Sequence, residues 1–270
     1  MIDPGASRSG KSALEIAITV ARAAGEVILD RFRQAHDVEY KGRGNVVTEA
    51  DLLSERTMMD MLRQEYPEHG IMTEESEGVA SASGFCWVLD PIDGTRNYAS
   101  GVPHFGLNIA LTYAEQPIIA VTFDPMRRDL FTAEKGKGAY CNGARLAASQ
   151  SPNLLQSVFG LDMGYQSGAA RHALEMLLAL WPGMQTCRVM GSAALGMAYA
   201  AAGHLDLYIH HDLRPWDVVC GLLLVPEAGG VITDRGGGPA GLHSTGVISG
   251  GPAVHADFLR LTDGMAWRQM

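Results

Sequence analysis

The sequence predicts an α/β protein with an α+β first half and an α/β second half. It has 270 residues, of which 47% are hydrophobic, enough for one large domain or two tightly packed halves. Apolar and alternating runs dominate residues 106–145, whereas strand-like and helix-like segments alternate after residue 149. We therefore place a boundary near residue 147, with segments 13–147 and 148–270 on either side. Residues 1–12 are rich in Gly, Ser and charge, and we expect them to form a loose tail.

Two helices and a set of short strands are predicted in the first half. Apolar residues recur at helical spacing from Ala13 to about Phe32. Residues 48–51 resemble a capping box that opens a second helix, which runs to about Tyr66 and stops before Pro67. The predicted strands are residues 70–73, 85–89, 107–113, 117–123 and 129–134, the last three forming an antiparallel meander.

The second half is predicted to alternate strands with helices. The predicted strands are residues 157–161, 186–190 and 205–209, and the predicted helices lie near residues 169–181, 192–203 and 216–228. This order of elements is typical of an α/β arrangement.

Charge and composition disfavour several classes of partner. A net charge of −9 disfavours binding to nucleic acid or to an anionic membrane. The most apolar stretch, residues 193–202, is shorter than the ~20 residues that a membrane span needs. The N-terminal residues lack the apolar region of an export signal, and the four cysteines form no C-x-x-C pair. We expect a cytoplasmic protein with reduced thiols.

Residues 5–12 match the P-loop pattern G-x-x-x-x-G-K-[ST], which makes a nucleoside triphosphatase an alternative. Residues 86–90 even resemble the apolar strand ending in Asp that such an enzyme uses for magnesium. A P-loop, however, needs a buried strand that delivers the glycine turn rigidly to a helix N-terminus. Only residues 1–4 precede Gly5, and Pro4 is unsuited to an interior strand. The loose tail is therefore the favoured interpretation.

Asp90 and Asp93 lie in the segment that carries most of the predicted chemistry, W-V-L-D-P-I-D-G-T-R-N-Y at residues 87–98. An apolar strand ends at Asp90, and Pro91 keeps that residue extended, so that the two carboxylates can converge after the turn. Converging carboxylates repel each other unless a divalent cation lies between them. Oxygen ligands favour Mg²⁺ or Mn²⁺ over zinc.

Gly94 and Thr95 follow these acids at the predicted start of a short helix. The glycine allows close approach of the backbone to a ligand, and the free N–H groups of a helix start can bind a phosphate oxygen. The alternative is an ordinary Asp-Gly turn without a ligand.

Three distant acids extend this pattern. Glu74 follows a short apolar strand, Asp51 belongs to the predicted capping box, and Asp217 begins an apolar helix. Each has an ordinary alternative: a solvated charge run, a helix cap, or a favourable interaction with the helix dipole. Glu74 and Asp90 nevertheless both end apolar strands, while Asp51 and Asp217 both begin helices, and such ends can meet at one rim of a sheet.

These motifs resemble those of the inositol monophosphatase family, part of the lithium-sensitive, metal-dependent phosphatases that also include fructose-1,6-bisphosphatases. The motifs occur in the family's order: V-T-E-A-D at residues 47–51, T-E-E-S at 73–76, D-P-I-D-G-T-R-N-Y at 90–98, G-K-G-A-Y-C-N-G at 136–143, W-D-V at 216–218 and E-A-G-G at 227–230. The resemblance implies a layered α/β/α/β/α sandwich, usually assembled as a homodimer. It also implies a phosphatase that acts on a small phosphorylated polyol or sugar.

The resemblance implies a set of metal ligands. Glu74, Asp90 and the main-chain carbonyl of Ile92 would hold one Mg²⁺ ion. Asp90, Asp93 and Asp217 would hold a second ion, and Glu74 would help hold a weaker third. Mn²⁺ is an alternative metal.

The catalytic residues implied are Asp51, Glu74 and Thr95, with Thr95 hydrogen-bonded to Asp51 to orient the attacking water. Gly94 and Thr95 would bind the phosphate. Metal ions would neutralise the ester and activate this water. A covalent phosphoaspartate is the mechanistic alternative, but the D-x-x-D spacing of residues 90–93 is one residue longer than in aspartyl-phosphate enzymes.

His210 departs from the family pattern. Members that prefer inositol phosphates commonly carry a glutamate seven residues before the aspartate of the W-D motif, which is Asp217 here. A pocket containing His210, His211 and Arg214 could instead prefer a second anionic group on the substrate. The alternative for the histidine pair is an exposed turn before Pro215.

Gly191, Ser192 and Ala193 resemble the family's other substrate-facing segment and leave room for a ring. The candidate substrates are myo-inositol monophosphates, fructose-1,6-bisphosphate, histidinol phosphate and 3′-phosphoadenosine 5′-phosphate. A non-catalytic interaction protein is a further alternative, although all five acids of the expected site are present.

Overall fold

A computed structural model describes residues 3–32, 38–40 and 46–269, with the backbone alone for 38–40 and 46. The α-helices are α1 (Ala13–Arg31), α2 (Glu49–Glu65), α3 (Thr95–Ala99), α4 (Ser167–Leu180), α5 (Ala193–Ala201), α6 (Pro215–Val218), α7 (Gly221–Glu227) and α8 (Pro252–Leu261). The strands are β1 (Val38–Tyr40), β2 (Val46–Thr48), β3 (Gly70–Thr73), β4 (Phe85–Asp93), β5 (Gly106–Tyr113), β6 (Gln116–Asp124), β7 (Asp129–Glu134), β8 (Gly138–Cys141), β9 (Ala144–Arg145), β10 (Val158–Leu161), β11 (Thr186–Val189), β12 (Leu207–His210), β13 (Val231–Asp234) and β14 (Val247–Gly250). Short 3₁₀ turns cover Leu154–Gln156, Trp181–Gly183 and Ala266–Gln269.

The strands form two larger sheets and one two-stranded ribbon. The seven-stranded sheet has the order β3-β4-β5-β6-β7-β8-β9, with β3 parallel to β4 and all later neighbours antiparallel. The five-stranded sheet has the order β11-β10-β12-β14-β13, in which β10, β11 and β12 are parallel and β14 is antiparallel to both of its neighbours, β12 and β13. The predicted meander and the predicted α/β fold class are therefore confirmed.

Helices α1 and α2 cover the outer face of the seven-stranded sheet. Ile28 of α1 and Met58 of α2 share a core with Trp87 and Leu107 of the sheet. All four side chains are fully buried. Side chains alternate between the two faces of the sheet along β4 and β5, so Trp87 and Leu107 point to one face and their sequence neighbours to the other.

Helices α5 and α7 lie between the two sheets. Leu224 of α7 packs with Val88 on the inner face of the larger sheet, and Met197 of α5 packs with Tyr208 of the smaller sheet. Helices α4 and α8 cover the outer face of the smaller sheet, around Phe159. The order of layers is α1/α2, seven-stranded sheet, α5/α7, five-stranded sheet, α4/α8, which is the expected α/β/α/β/α sandwich.

Several elements differ from the sequence-based expectation. Strand β4 extends to Asp93 rather than ending at residue 89, so both acids of the D-x-x-D segment belong to it. The helix expected near residues 216–228 is divided into α6 and α7. Strands β13 and β14 were not predicted, because each has only four residues within a glycine-rich region. Helix α8 was not predicted either.

Residues 7–12 are held by hydrogen bonds to α2 and α1 instead of forming a loose tail, and Ser7 is buried. The N–H groups of Arg8 and Ser9 donate to the main-chain carbonyl and the carboxylate of Glu65 at 3.2 and 2.9 Å, respectively. Ser12 caps α1, and the carboxylate of Glu15 accepts the Ser12 N–H at 2.8 Å. This helix start already holds an anionic group, and no strand precedes it within residues 3–12. The P-loop interpretation is therefore not supported.

Among the described residues, no helix combines the length and the apolar character that crossing a bilayer requires.

Candidate active site

A bulge in strand β4 brings Asp90 and Asp93 to the same end of the sheet. Asp90 pairs with Asn108 of β5, and Asp93 pairs with Gly106, with a shift of register between the two. A bulge places an extra residue in one strand and so changes the side to which its side chains point. The two carboxylates consequently converge, as the sequence predicted.

Gly94 forms the turn that follows these acids. Its φ is +93°, and a Cβ at this position would lie 2.9 Å from the carbonyl oxygen of Gly191. A side chain would therefore be strained and would also clash with the backbone of the other half. The glycine allows α3 to begin directly beside the second half of the molecule.

Asp90, Asp93 and Asp217 form the acidic cluster at the site. Each offers a carboxylate oxygen within 4.8 Å of the others, the only such group of three found among the described residues. Asp90 is fully buried, and neither of its oxygens accepts a hydrogen bond from the described residues. Burial, together with the charges of Glu74, Asp93 and Asp217, raises the pKa of Asp90 well above its ordinary value. The donor set is entirely oxygen and fits a hard divalent cation such as Mg²⁺ or Mn²⁺.

Asp93 is held in place by the start of α5. Its carboxylate accepts hydrogen bonds from the Ser192 hydroxyl and from the N–H groups of Ala193 and Ala194 at 3.2 and 2.9 Å. Burial raises the pKa of Asp93 to about 6 and outweighs these hydrogen bonds, which act to lower it. Ser192 and Ala193 line the cavity as expected for substrate contacts, but their polar groups bind Asp93.

Asp51 and Thr95 form the hydrogen-bonded pair that the family resemblance implied. The Thr95 hydroxyl lies 3.1 Å from Asp51 Oδ1 and 2.9 Å from the carbonyl oxygen of Ile92, both of which can accept its single proton. Asp51 Oδ2 accepts from the N–H and hydroxyl of Thr48 at 2.8 and 2.6 Å. Burial raises the pKa of Asp51 to about 6. Asp51 therefore both caps α2 and fixes Thr95.

A cavity of about 530 Å³ opens over this cluster. Its lining includes every predicted metal-binding and substrate-binding residue: Glu74, Asp90, Ile92, Asp93, Gly94, Thr95, Gly191, Ser192, Ala193, His210, Arg214 and Asp217. Asp51 lies behind Thr95 and is fully buried. The first and second halves of the chain therefore both contribute to one cavity.

His210 and His211 do not form the exposed turn that was one expectation. His210 ends β12 and lines the cavity, whereas His211 points into the second half. The N–H of Trp267 donates to His211 Nδ1 at 3.2 Å, and His211 Nε2 lies 2.6 Å from the carbonyl oxygen of Met163. Burial lowers the pKa of both histidines. The expectation that both histidines belong to the pocket is therefore wrong for His211, and only His210 lines the cavity.

Comparison with known proteins agrees with this geometry. A sequence model described as "Inositol monophosphatase family" matches residues 11–263, nearly the whole chain. The chain belongs to the inositol monophosphatase family. It is 39% identical over 247 residues to Nus factor SuhB of Salmonella typhimurium, covering 89% of this chain and 92% of that protein.

Two solved structures share the fold of this chain. The extragenic suppressor protein SuhB of Bartonella henselae superposes with a TM-score of 0.89 at 30% identity, covering 93% of this chain and 98% of that one. The IMPase of Thermotoga maritima gives a TM-score of 0.86 at 28% identity, covering 93% and 97%. Both the predicted family and the predicted fold are confirmed.

Asn108 is a supporting residue of this inositol monophosphatase family site that the sequence analysis missed. Its amide donates to the carbonyl of Trp216 at 3.0 Å and accepts from the Thr122 hydroxyl at 2.7 Å. It thereby fixes the start of α6, where the N–H of Arg214 donates to Asp217 Oδ2 at 2.6 Å. Burial and the charge of Asp93 raise the pKa of Asp217 to about 8. The available signal was an amide in the middle of an apolar strand.

Glu55 and Asp162 were also missed. Glu55 accepts from the Thr73 hydroxyl and from the N–H of Glu75 at 2.9 Å, which fixes the chain on both sides of Glu74. Asp162 accepts the N–H groups of residues 190 and 191 and the Tyr208 hydroxyl, the latter at 2.7 Å. Both acids are buried. Glu55 follows Asp51 by four residues on one helix face, and Asp162 directly follows an apolar strand, so both had a recognisable pattern.

Proposed function

We propose that this protein hydrolyses the phosphate monoester of a small molecule in a magnesium-dependent reaction that uses metal-activated water. The observation that carries the proposal is the Asp90 carboxylate, which is fully buried and accepts no hydrogen bond from the described residues. Removing such a charge from water is unfavourable unless a cation compensates it. Membership of the inositol monophosphatase family supports a phosphatase scaffold.

Five groups of this chain would hold two or three Mg²⁺ ions, with Mn²⁺ as an alternative. They are the carboxylates of Glu74, Asp90, Asp93 and Asp217 and the main-chain carbonyl of Ile92. The Ile92 carbonyl can accept from Thr95 at 2.9 Å and still has a second lone pair for a metal ion. When bound, such ions neutralise phosphate oxygens and lower the pKa of a coordinated water.

Thr95 and Asp51 would orient the attacking water. If the Thr95 hydroxyl donates its proton to Asp51 or to Ile92, its oxygen can only accept from a water molecule. The water is then held with one O–H toward Thr95 and a lone pair free for phosphorus. Glu74, which lines the same cavity, would complete the catalytic set.

The phosphate would lie against the start of α3. The N–H groups of Gly94 and Thr95 have no carbonyl acceptor within the helix, and such groups bind anions. Arg96 is exposed at the same edge of the cavity. The leaving group would extend toward Gly191, His210 and Arg214. Ser192 and Ala193 would act on the substrate through Asp93, whose carboxylate they bind.

The site restricts the type of reaction more narrowly than it restricts the alcohol part of the substrate. An inositol monophosphate-like or sugar phosphate fits a cavity of about 530 Å³. Fructose-1,6-bisphosphate, histidinol phosphate and 3′-phosphoadenosine 5′-phosphate are the alternatives on the same scaffold.

Phosphate release from a panel of these esters tests the proposal. Each ester is incubated with Mg²⁺, and again with a chelator of divalent cations. We expect phosphate release from one or two of the esters, and we expect the chelator to abolish that release. Millimolar lithium should also inhibit it. Release that persists in chelator, or no release from folded protein with added Mg²⁺, would refute the metal-dependent reaction.

A second candidate function rests on the relatives. The name of the Salmonella typhimurium relative, Nus factor SuhB, suggests a transcription-associated role. The chain and its Asp93→Asn variant can each be expressed in a strain that lacks its own SuhB. Restoration of the wild-type transcript profile by both would favour an interaction role without catalysis, and restoration by the wild type alone would favour the phosphatase.

We also propose a homodimer, which the family resemblance supports. Sedimentation velocity of the full chain tests it: a dimer mass at micromolar concentration agrees with the proposal, and a monomer mass contradicts it.

A further inference from the structure

His210 occupies a position where its side chain can meet the leaving group of a substrate. It ends strand β12 and lines the same cavity as the acidic cluster. The residue is only 7% exposed, so its ring orientation is set by the protein. A buried ring with a fixed orientation presents one defined atom to a ligand.

The hydrogen bonds of His210 determine which nitrogen carries the proton. The N–H groups of His211 and Asp212 both point at His210 Nδ1, at 3.0 and 3.1 Å. A backbone N–H can only donate, so Nδ1 must be unprotonated to accept. Burial lowers the pKa of His210 to about 3, which keeps the ring neutral. The single proton of the neutral ring therefore resides on Nε2.

The Nε2–H group has no hydrogen-bond acceptor of its own among the described residues. Two cationic side chains, Arg96 and Arg214, are exposed along the edge of the same cavity. In a cavity that these cationic side chains also line, a neutral N–H donor favours a ligand group that only accepts hydrogen bonds and carries negative charge. A hydroxyl group can also accept from Nε2–H, but without the added strength of a charged acceptor.

We infer that His210 Nε2–H, together with Arg214, selects phosphate monoesters whose alcohol part carries a second oxyanion, either a carboxylate or another phosphate. This inference rests on the proposed phosphatase function and adds the substrate class. It assigns the recognition to one neutral donor rather than to the histidine pair, because His211 is turned away from the cavity.

A matched pair of substrates tests this selection with Mg²⁺ present. Glycerol 2-phosphate and 2-phosphoglycerate differ by the replacement of one CH₂OH group with a carboxylate. Fructose 1-phosphate and fructose-1,6-bisphosphate provide the same comparison for a second phosphate. We expect the wild type to have the higher kcat/KM for the oxyanion-bearing member of one pair. The pair that discriminates identifies the carboxylate or the phosphate as the group recognised.

Two variants of His210 and one variant of His211 distinguish the loss of the Nε2–H donor from general damage to the protein. His210→Glu replaces the donor by a negative acceptor and should shift the kcat/KM ratio by roughly tenfold toward the hydroxyl member. His210→Gln retains a neutral N–H donor and should keep the wild-type preference. His211→Asn alters the residue that faces away and should leave the ratio unchanged. An unchanged ratio in His210→Glu, or equal shifts in all three variants, would overturn the inference.

Nitrogen-15 NMR of the imidazole rings gives a test that needs no activity. We expect a His210 ring protonated at Nε2 alone from pH 5 to pH 8. Protonation at Nδ1, or titration near the ordinary histidine pKa of about 6.5, would overturn the inference. No phosphate release from any ester would refute the proposed function together with the selection that rests on it, whereas a wrong protonation site in the NMR spectrum with phosphate release intact would overturn the inference alone.

Discussion

The side-chain amide of Asn108 donates a hydrogen bond of 3.0 Å to the main-chain carbonyl of Trp216. This bond joins the larger sheet to the helix that carries Asp217, and Asn108 is also the cross-strand partner of Asp90. Two acids from different halves of the chain are thus placed relative to each other by one buried amide.

Replacement of Asn108 by alanine should therefore weaken metal binding. The hydroxyl of Thr122 would lose its buried acceptor, which costs about 1–3 kcal/mol of the free energy of unfolding. Because the helix start would be less fixed, we expect the Mg²⁺ concentration for half-maximal activity to rise at least ~10-fold. A Mg²⁺ titration of activity measures this change.

Thr112→Val is the matched control for Asn108→Ala. Thr112 is a buried polar residue of the same strand, and its hydroxyl bonds the carbonyl of Cys86 rather than the second half. It should lower stability without changing the Mg²⁺ requirement. Equal Mg²⁺ requirements for Asn108→Ala and Thr112→Val would contradict the positioning function of Asn108.

Asp93→Asn should abolish activity and leave the fold intact. The amide has the same shape but lacks the charge that a divalent cation needs, so we expect a loss of more than ~100-fold in kcat/KM. Circular dichroism checks the fold, and calorimetric titration with Mg²⁺ checks the loss of a binding event. Asp60→Asn, on the exposed face of α2, is the control and should behave as the wild type. Wild-type turnover by Asp93→Asn at saturating Mg²⁺ would refute its assignment as a metal ligand.

Local sequence indicated where the acids of the site lie, because each follows an apolar strand or begins a helix, whereas their roles as metal ligands were implied by the family resemblance. The strand before Asp90 and the capping box at Asp51 are such local signals, and both were found in the structure. The layered order of the fold came from the family resemblance, since periodicity identifies elements but not how they stack.

Long-range contacts could not be predicted from local patterns. The bonds from Ser192 to Asp93 and from Asn108 to Trp216 join residues about a hundred positions apart. The orientations of His210 and His211 also depend on such contacts, because Trp267 and Met163 hold the second ring. Only the packed structure assigns one histidine to the cavity and the other to the core.

The metal-free protein should become less stable as the pH rises. Burial raises the pKa of Asp93 to about 6 and that of Asp217 to about 8, and it also raises the pKa of Asp90 well above its ordinary value. The unfolded protein loses these protons near pH 4, so between pH 4 and pH 8 these three carboxyl groups bind more protons in the folded state than in the unfolded state. Their contribution to stability therefore falls across this window, and the buried His210 and His211, whose pKa values burial lowers, oppose it below about pH 6.5.

Thermal unfolding in chelator at pH 5 and pH 8 measures this dependence. We expect a melting temperature at least ~2–4 °C higher at pH 5, and saturating Mg²⁺ should reduce the difference by binding the ionised carboxylates. Asp90→Asn removes one of the buried charges and should raise the metal-free melting temperature at pH 8. A metal-free protein that is more stable at pH 8 than at pH 5 would contradict the assignment of uncompensated buried charge.

Deletion of residues 1–11 should lower stability but not activity. Ser7 is buried and the N–H groups of Arg8 and Ser9 bond Glu65, so the deletion exposes part of α2. Ser12 remains to cap α1. We expect an unchanged kcat and a lower melting temperature, together with no measurable ATP binding by either protein. If the full chain bound ATP and the deletion abolished that binding, the result would support the P-loop interpretation.

Thr95→Val should remove the water-orienting hydroxyl while keeping the shape of the side chain. The Thr95 oxygen lies between Asp51 and Ile92, at 3.1 and 2.9 Å, and valine has no atom that can accept from water there. General base and positioning contributions of this kind amount to ~10²–10⁴-fold, and we expect a loss of kcat in this range. Thr95→Ser retains the hydroxyl and should recover most of the activity. Because the hydroxyl is not a proposed metal ligand, the Mg²⁺ affinity of Thr95→Val should stay within about threefold of the wild type. A variant that loses Mg²⁺ binding and activity together would instead place Thr95 among the groups that hold the metal site.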